Sequence, residues 1–426
     1  MQAPLALGLD IGTTSCKLTL IDGKCRVLRT LRSPTPWKLV PTGREMHAED
    51  LFGTVTNLLE RLVRDEVFAA GSTALSLGIT SMGQTGTFVD PAGHALGPMV
   101  SWDDKRSGPA AALLREQIGD ECFARISGLP VGASWTACQF RQLWSRRTLP
   151  FGAKWLGVAD YIAYRLTGVA RAELSLACQS GLVDINAKDW SEKLLDWAGV
   201  DRSAMPALGT SDVPVGRIAW GPCKGAVVTL AGHDHLAACI GAGADDPETL
   251  YDSCGTAETL IRTVHPDGVS HRATEIVAAG LQLGWHSTPG TMVVAGSHRA
   301  TWALERIRSM LGHPLEVLVE EVEPGAVTVD GVMADRVTIS TALCTPGELW
   351  NAAQFSVAKE TRRMADAMEQ FAGPATRTVV AGGWAQHPPF LRARSELFDC
   401  TVASSQAEAG AYGAAVIGAA AAVLVQ

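Results

Sequence analysis

Asp10-Ile11-Gly12-Thr13-Thr14-Ser15-Cys16-Lys17 brings a carboxylate, a glycine, hydroxyls and a lysine into one short stretch. The glycine lets the backbone turn sharply. Successive N–H groups and the hydroxyls of Thr13 and Thr14 can then converge on phosphate oxygens. Asp10, at the end of an apolar run, suits a Mg²⁺ held through water, because that cation keeps waters and takes few carboxylates. Lys17 can reach back as a positive charge on a transferring phosphoryl group. The plainer alternative is an Asx-type turn followed by an exposed lysine. The stretch is not a Walker loop, since G-x-x-x-x-G-K-[ST] occurs nowhere in the chain, and this turn lacks G-x-G-x-x-G.

Other clusters invite chemistry with similar ambiguity. Ala231-Gly232-His233-Asp234-His235 follows an apolar run, placing ionisable groups where α/β sheets form their sites. Asp234 is a candidate general base, a pair of histidine metal ligands is the competitor, and a surface turn is the bland reading. On an extended chain His233 and His235 point opposite to Asp234. Gly382-Gly383 lies between a strand and a helix pattern, either a plain turn or a place where a nucleotide approaches the backbone. Glu408–Ala415 opens a small-residue helix, which means close packing or room for a base. Gln84 and Ser101-Trp102-Asp103-Asp104-Lys105-Arg106 offer the groups that grip vicinal hydroxyls: an indole face, carboxylates and a guanidinium. A solvated charged loop explains them equally well. Arg141, Arg146 and Arg147 around Trp144 could touch an anion, but a helix face is the plainer reading. His94, His286 and His387 show no spacing that assigns a role.

The elements that must position these groups follow from hydrophobic periodicity. Leu5–Leu9 is a strand ending at Asp10. Lys17–Ile21 and Cys25–Thr30 are strands flanking the Asp22-Gly23 turn. Leu51, Phe52, Val55, Leu58, Leu59, Leu62 and Val63 make a helical stripe within Ala48–Arg64, and Leu75–Ile79 is the next strand. A second series follows: Val227–Leu230, Thr249–Tyr251 ending at Asp252, Ala257–Val264, a helix near Ala352–Phe371, a strand at Thr378–Ala381 and a helix at Phe390–Phe398. Asp252-Ser253-Cys254-Gly255-Thr256 echoes the first turn with one extra residue before the glycine. The order implies an α/β protein of two similar halves, divided at the Pro222–Gly225 cluster into 1–224 and 225–426.

Composition narrows the classes. The chain has 426 residues, 47% apolar and 19% charged, ample for folded cores. Lys and Arg number 36 against 44 Asp and Glu, a net charge of −8, which disfavours sequence-independent nucleic-acid binding. Ala411–Val425 is too short and too rich in small residues for a membrane span and reads as a packed helix. Met1-Gln2-Ala3-Pro4 carries no basic leader, and the ten cysteines form no C-x-x-C pair. A cytoplasmic protein with reduced cysteines is the expectation.

Taken together, these segments resemble the FGGY family of carbohydrate kinases, of the actin, hexokinase and heat-shock-chaperone ATPase superfamily. Gly8–Ser15 resembles its first phosphate motif, Tyr251–Ala257 the second, and Val379–Gly383 the adenosine motif. Glu408–Ala415 resembles the connecting helix, and Asp160–Gly168 the helix closing the first domain. Trp102-Asp103-Asp104-Lys105-Arg106 is similar to the W-x-D-x-R sugar segment, and Gly232–Asp234 to the catalytic aspartate segment. The resemblance implies two ribonuclease-H-like (actin-like ATPase) domains with a central cleft, sugar on the first and ATP on the second. It implies Asp234 as general base and sugar ligand, Asp10 on Mg²⁺, and Thr13, Thr14 and Lys17 on the γ-phosphoryl. Gly255, Thr256, Gly382 and Gly383 would meet the rest of the nucleotide, and Gln84, Trp102, Asp104 and Arg106 the sugar. The implied reaction is ATP-dependent phosphorylation of a hydroxyl on a small sugar or polyol, pentulose-like or a tetritol or pentitol. Its rivals are a kinase for a sugar acid or other hydroxylated metabolite and a non-catalytic actin-like nucleotide-binding regulator. The partners expected are the small molecule and at most a second copy in a homodimer, with neither nucleic acid nor membrane.

The chain also departs from the family pattern. Gly83-Gln84-Thr85 stands where pentulose kinases carry Met-His-Gly, and Gln139 replaces a lysine. No G-E-R-x-P-x-W segment is evident between Val332 and Trp350.

Overall fold

The computed structural model describes residues 5–424 except 67, 69–73, 146, 256, 315–317, 319–327, 331–337, 341–344 and 405. Strand β1 (Leu5–Ile11) is buried along its whole length, as a strand covered on both faces must be. It turns into antiparallel β2 (Ser15–Ile21), and Asp22 makes the reversal into β3 (Val27–Pro34). The Asp22 carboxylate accepts the N–H groups of Lys24 and Arg26, each at 2.9 Å. Helix α1 (Ala48–Val63) buries Leu51, Phe52, Val55, Leu58, Leu59 and Leu62. It crosses to β4 (Ala74–Ser81), parallel to β1. After a run of helices and short strands, α2 (Val158–Thr167) stops at Gly168, whose φ of 79° makes a left-handed cap. Strands β5 (Gly216–Arg217) and β6 (Val227–His233) complete the sheet in the order β5-β6-β4-β1-β2-β3.

The Pro222–Gly225 cluster is therefore not a domain linker. It forms the turn of the β5–β6 hairpin, and β6 pairs in parallel with β4. A division after residue 224 cuts through the first sheet, because glycine and proline punctuate a tight hairpin as readily as a linker. The first sheet is left only at α3 (Asp234–Gly241).

The second sheet contains β7 (Thr249–Cys254), β8 (Glu258–Val264), β9 (Gln282–Trp285) and β10 (Met292–His298). Helices α4 (Ala300–Leu311) and α5 (Pro346–Ala372) follow. The latter starts at a Thr345–Glu348 capping box. Then come β11 (Arg377–Ala381), α6 (Pro388–Ser395), β12 (Thr401–Ala403) and α7 (Ala409–Val423). The order is β9-β10-β8-β7-β11-β12. Each sheet thus has a central strand, β1 or β7, with antiparallel partners on one side and parallel partners on the other. This repeated topology is the two-domain α/β architecture expected, and it makes the internal echo of Asp10 in Asp252 a structural correspondence.

The last helix of each domain packs on the other domain's sheet. Leu236 and Cys239 of α3 cluster with Tyr251, Ile261, Val293 and Val379 of the second sheet. Helix α7 instead lies on the first: a Cβ added at Gly8 would fall 1.9 Å from the Ala411 carbonyl oxygen, and one at Gly78 1.8 Å from that of Ala414. The two helices also meet backbone to backbone, since a Cβ at Gly413 would fall 1.8 Å from the Ala237 oxygen. Small residues are required here by contact distance, so the terminal apolar run is a packed helix. Among the described residues no helix is long and apolar enough to cross a membrane, and the described cysteines are all free.

Candidate functional site

The β1–β2 turn is anchored from outside. Gly12 N–H donates to the Ser15 carbonyl at 3.1 Å. Thr35 Oγ1 donates to the Gly12 carbonyl at 2.7 Å, and Trp37 Nε1 to that of Thr13 at 2.7 Å. Thr14 stays exposed. The β1–β2 register sets Asp10 opposite Lys17, whose Nζ lies 3.4 Å from Asp10 Oδ2 and 3.1 Å from Glu408 Oε2. The lysine is thus half-buried between two carboxylates, unlike the exposed one of a plain Asx turn. Burial alone would lower the Lys17 pKa, but Asp10 and Glu408 hold it above its ordinary value. The Asp10 carboxyl is pushed up to about 6 by burial, which Lys17 opposes and Asp234 and Glu408 reinforce. Its Oδ1 is buried without a hydrogen-bond partner.

Asp234 reaches the same edge from β6. The β6–β4 register shifts between Leu230 and Gly232, a bulge that re-aims the following residues. Gly232 has a φ of 86°. His233 ends the strand and Asp234 begins α3, so the chain is not extended here as anticipated. The rings of His233 and His235 lie on one side, centroids 5.4 Å apart. His233 Nδ1 is 3.4 Å from Asp234 Oδ1, which accepts the His235 N–H at 2.8 Å. Burial pushes the His233 pKa down to about 4. Among the described residues these histidines join no group of ligands that could hold a metal; Asp252, Cys254 and Glu258 form such a group. His235 Nδ1 lies 3.1 Å from Ser253 Oγ, so α3 is tied directly to the end of the second domain's central strand β7.

The Trp102–Arg106 segment is tied into the fold, although Asp103 and Lys105 are exposed. Trp102 Nε1 donates to Thr13 Oγ1 at 3.0 Å, joining it to the first turn. Asp104 is buried and accepts both the N–H and the Nε–H of Arg106 at 2.9 Å. Arg106 Nη1 reaches Glu45 Oε1 at 2.6 Å. Asp104, Arg106 and Glu45 therefore brace the loop that carries Trp102. Gln84 adopts a φ of 61°, rare for a non-glycine residue and characteristic of functional sites. Its Nε2 donates to Gln179 Oε1 at 3.2 Å, and its carbonyl accepts Thr136 Oγ1 at 3.1 Å. Gly83 passes so close to His233 that a Cβ would lie 3.2 Å from the ring. The residue before Gln84 thus lies against the ring of the residue before Asp234.

In the second domain, Gly255 N–H donates to the Ala257 carbonyl at 3.1 Å, while Thr256 lies outside the described residues. Gly382, at a φ of 100°, lies against this turn: a Cβ would sit 2.3 Å from the Cys254 oxygen. Gly383 faces open space. Asp252 is clasped instead of open. Arg394 Nε is 3.1 Å from its Oδ2, Arg394 Nη2 is 2.7 Å from Glu258 Oε1, and all three side chains are buried.

Sequence reasoning missed Glu45, Gln179 and Arg394, and did not foresee Glu408 as the second partner of Lys17; none of them sits in a spacing pattern that would have exposed it. Arg141 donates to the Trp197 carbonyl at 3.0 Å and Arg147 stacks on Trp144, structural roles as expected, whereas Arg146 lies outside the described residues. The same holds for much of the stretch between Val332 and Trp350.

Residues 5–241, more than half of the chain, match the sequence profile of the N-terminal domain of the FGGY family of carbohydrate kinases. L-fuculokinase of Escherichia coli K12 is 24% identical over 447 residues, covering 98% of this chain and 92% of that protein. Among solved structures, xylulose kinase from Rhodospirillum rubrum superposes with a TM-score of 0.86 at 22% identity, covering 98% of this chain and 90% of that one. Plasmodium falciparum glycerol kinase with ADP gives 0.88 at 18% identity, covering 100% and 90%. These structural likenesses establish the fold, two actin-like ATPase domains.

Proposed function

The chain belongs to the FGGY family of carbohydrate kinases, ATP-dependent phosphotransferases with an alcohol group as acceptor, and we propose that it phosphorylates a hydroxyl of a small neutral sugar or polyol with Asp234 as general base. The observation that carries this reading is convergence. Parallel β1, β4 and β6 bring Asp10 and Asp234 to one sheet edge, and one residue beyond Asp234 the His235–Ser253 contact reaches the end of the second domain's central strand β7. A base at that junction can meet an acceptor hydroxyl from one domain and a phosphoryl group from the other.

Asp234 takes the proton of the attacking hydroxyl at a carboxylate oxygen. The acceptor oxygen forms its bond to the γ-phosphorus as the bond to the β,γ-bridging oxygen breaks, and ADP leaves with that electron pair. Thr13, Thr14 and Lys17 steady the γ-phosphoryl, Gly255 and Thr256 the other phosphates, and Gly382 and Gly383 let the nucleotide approach the backbone. Gln84 and Trp102 face the acceptor, with Asp104 and Arg106 bracing the Trp102 loop. The unpartnered Oδ1 of buried Asp10 and the neighbouring Asp234 carboxylate fit a hard divalent cation. Magnesium held there by Asp10 would supply positive charge to the phosphate oxygens. The N-terminal domain, extended through α3, is the sugar side and the remainder the ATP side.

A neutral acceptor is favoured over a sugar acid by the local charges. Lys17 lies between Asp10 and Glu408, Arg106 between Asp104 and Glu45, and Arg44 on Asp103. Relatives are named for fuculose, xylulose and glycerol and one solved neighbour for gluconate, so the charge balance alone carries this choice; family membership stands against a non-catalytic regulator. The test is acceptor-dependent ADP formation with Mg·ATP across tetritols, pentitols, pentuloses, hexoses and sugar acids, with Asp234→Ala as control. One neutral responder, silent in the variant by about 10²- to 10⁴-fold, is expected. A sugar acid as best substrate, or full turnover in the variant, would overturn the reading.

A further inference from the structure

Three buried polar side chains crowd the Gly232 bulge. A Cβ at Gly232 would fall 2.0 Å from Ser287 Oγ, 2.5 Å from Ser175 Oγ and 3.1 Å from Glu173 Oε2. Glu173 is only 2% exposed, and a carboxylate at that depth persists only when its lone pairs are taken. Its Oε2 accepts the Ser175 hydroxyl at 2.6 Å and the Leu176 N–H at 3.0 Å. Having given its one proton to Glu173, Ser175 can only accept from its other neighbours. Those neighbours are the His233 backbone N–H at 3.2 Å and the Ser287 hydroxyl at 3.2 Å. Glu173 thus turns the Ser175 lone pairs toward the peptide N–H immediately preceding Asp234.

The same carboxylate works in a second direction. Glu173 is the N-cap of the short helix Leu174–Cys178, and the residue that follows this helix, Gln179, accepts from Gln84 Nε2 at 3.2 Å. One arm therefore runs from Glu173 through Ser175 to the residue before Asp234. The other runs through the capped helix to the amides beside the acceptor. We propose that Glu173 is a positioning residue that aligns both Asp234 and the Gln84–Gln179 pair with the acceptor. This rests on the reading of Asp234 as general base and Gln84 as an acceptor ligand.

The two arms can be cut separately. Glu173→Ala removes both, Ser175→Ala removes only the arm to Asp234, and Glu173→Gln keeps a carbonyl oxygen able to accept from both donors. Acceptor kinetics, ATP affinity without acceptor and thermal melting are measured for each. Misplacement by about an ångström costs on the order of 10²-fold in rate. Glu173→Ala should therefore lower kcat about 10²-fold and raise the acceptor KM about tenfold. Ser175→Ala should lower kcat at least about tenfold with acceptor KM within about twofold. Glu173→Gln should stay within about threefold of the parent in both, and ATP affinity should hold in all three. Should Glu173→Ala fail to fold, the split in Ser175→Ala and the rescue in Glu173→Gln decide the matter. An unchanged kcat in Ser175→Ala, or kcat, acceptor KM, ATP affinity and melting temperature declining together, would overturn the proposal. Asp234→Ala in the same series separates the two readings: turnover surviving there removes the base, whereas a silent Asp234→Ala beside a normal Ser175→Ala removes only the positioning role.

Discussion

The two domains place an aspartate at the same topological point and treat it differently. Asp10 and Asp252 both lie toward the C-terminal end of the central strand of their sheets, β1 and β7, and both are buried. Asp10 shares a single lysine with Glu408 and keeps one oxygen without a partner. Asp252 is held by Arg394, which also takes Glu258, and its remaining oxygen accepts from the Cys254 thiol at 3.1 Å. Burial, and then Glu258, raises the Asp252 pKa even so. A buried carboxylate needs compensation. In the second domain that compensation is a fully buried arginine with a thiol, and in the first it is one half-buried lysine shared with Glu408. Repetition of a fold therefore keeps strand order while changing how the charge at its centre is compensated.

Substitution at each position tests that contrast. Asp10→Asn should fold and lose turnover by about 10²-fold or more, with a weakened Mg²⁺ dependence; an unchanged magnesium titration would place Asp10 with Asp252 as architecture. Arg394→Met leaves two buried carboxylates uncompensated, and its expected signature is a loss of about 3–5 kcal/mol in chemical denaturation. The folded fraction should keep most of its kcat.

The interdomain helices differ likewise. Helix α7 meets the first sheet through glycine, whereas α3 meets the second through Leu236 and Cys239. Gly78→Ala forces a methyl into the Ala414 carbonyl and should cost about 1–3 kcal/mol by overpacking, read as a lower unfolding midpoint. Cys239→Ala, which trims a side chain and its thiol contact to the Ala244 carbonyl, should cost less.

The smallest expected effect is one the domains share. Burial pushes His233, in the first, and His286, in the second, down to about 4. Because their folded pKa values lie below that of an unfolded histidine, this stability is complete above pH ~6.5 and is lost as pH falls toward 4. Each histidine contributes about 1 kcal/mol of stability at pH 7.5 that is lost by pH 5.5. His286→Gln should therefore shift the stability difference between those two pH values by about 1 kcal/mol relative to the parent, and a difference unchanged by the substitution would mean the ring is not buried neutral.

Local signals carried well into three dimensions. The apolar run into Asp10, the Asp22 turn and the α1 stripe all lie where their patterns put them, because strand, turn and amphipathic helix are written in adjacent residues. The full length of β6 was hidden, since Gly232 and the polar His233 end the apolar run while the backbone continues paired through a bulge. The supports of the site were hidden for a different reason. Glu45 meets Arg106, Gln179 meets Gln84, and Arg394 meets Asp252 across long sequence separations, and no spacing rule reaches that far. Gly382 was legible as a turn or as a place for a nucleotide; that it must lack a side chain to lie on the Cys254 backbone is a property of the fold.

The crossed packing of α3 and α7 has a consequence for synthesis. The strands of the first sheet are complete once residue 233 has been made, yet the face bearing Gly8 and Gly78 is covered by residues 409–423. On a ribosome adding about 5–20 residues per second, the first domain waits many seconds for its cover. Until α7 is made, the face of the first sheet that bears Gly8 and Gly78 lacks this cover. Completion of the first domain is thereby timed by the synthesis of α7, about 170 residues after its last strand.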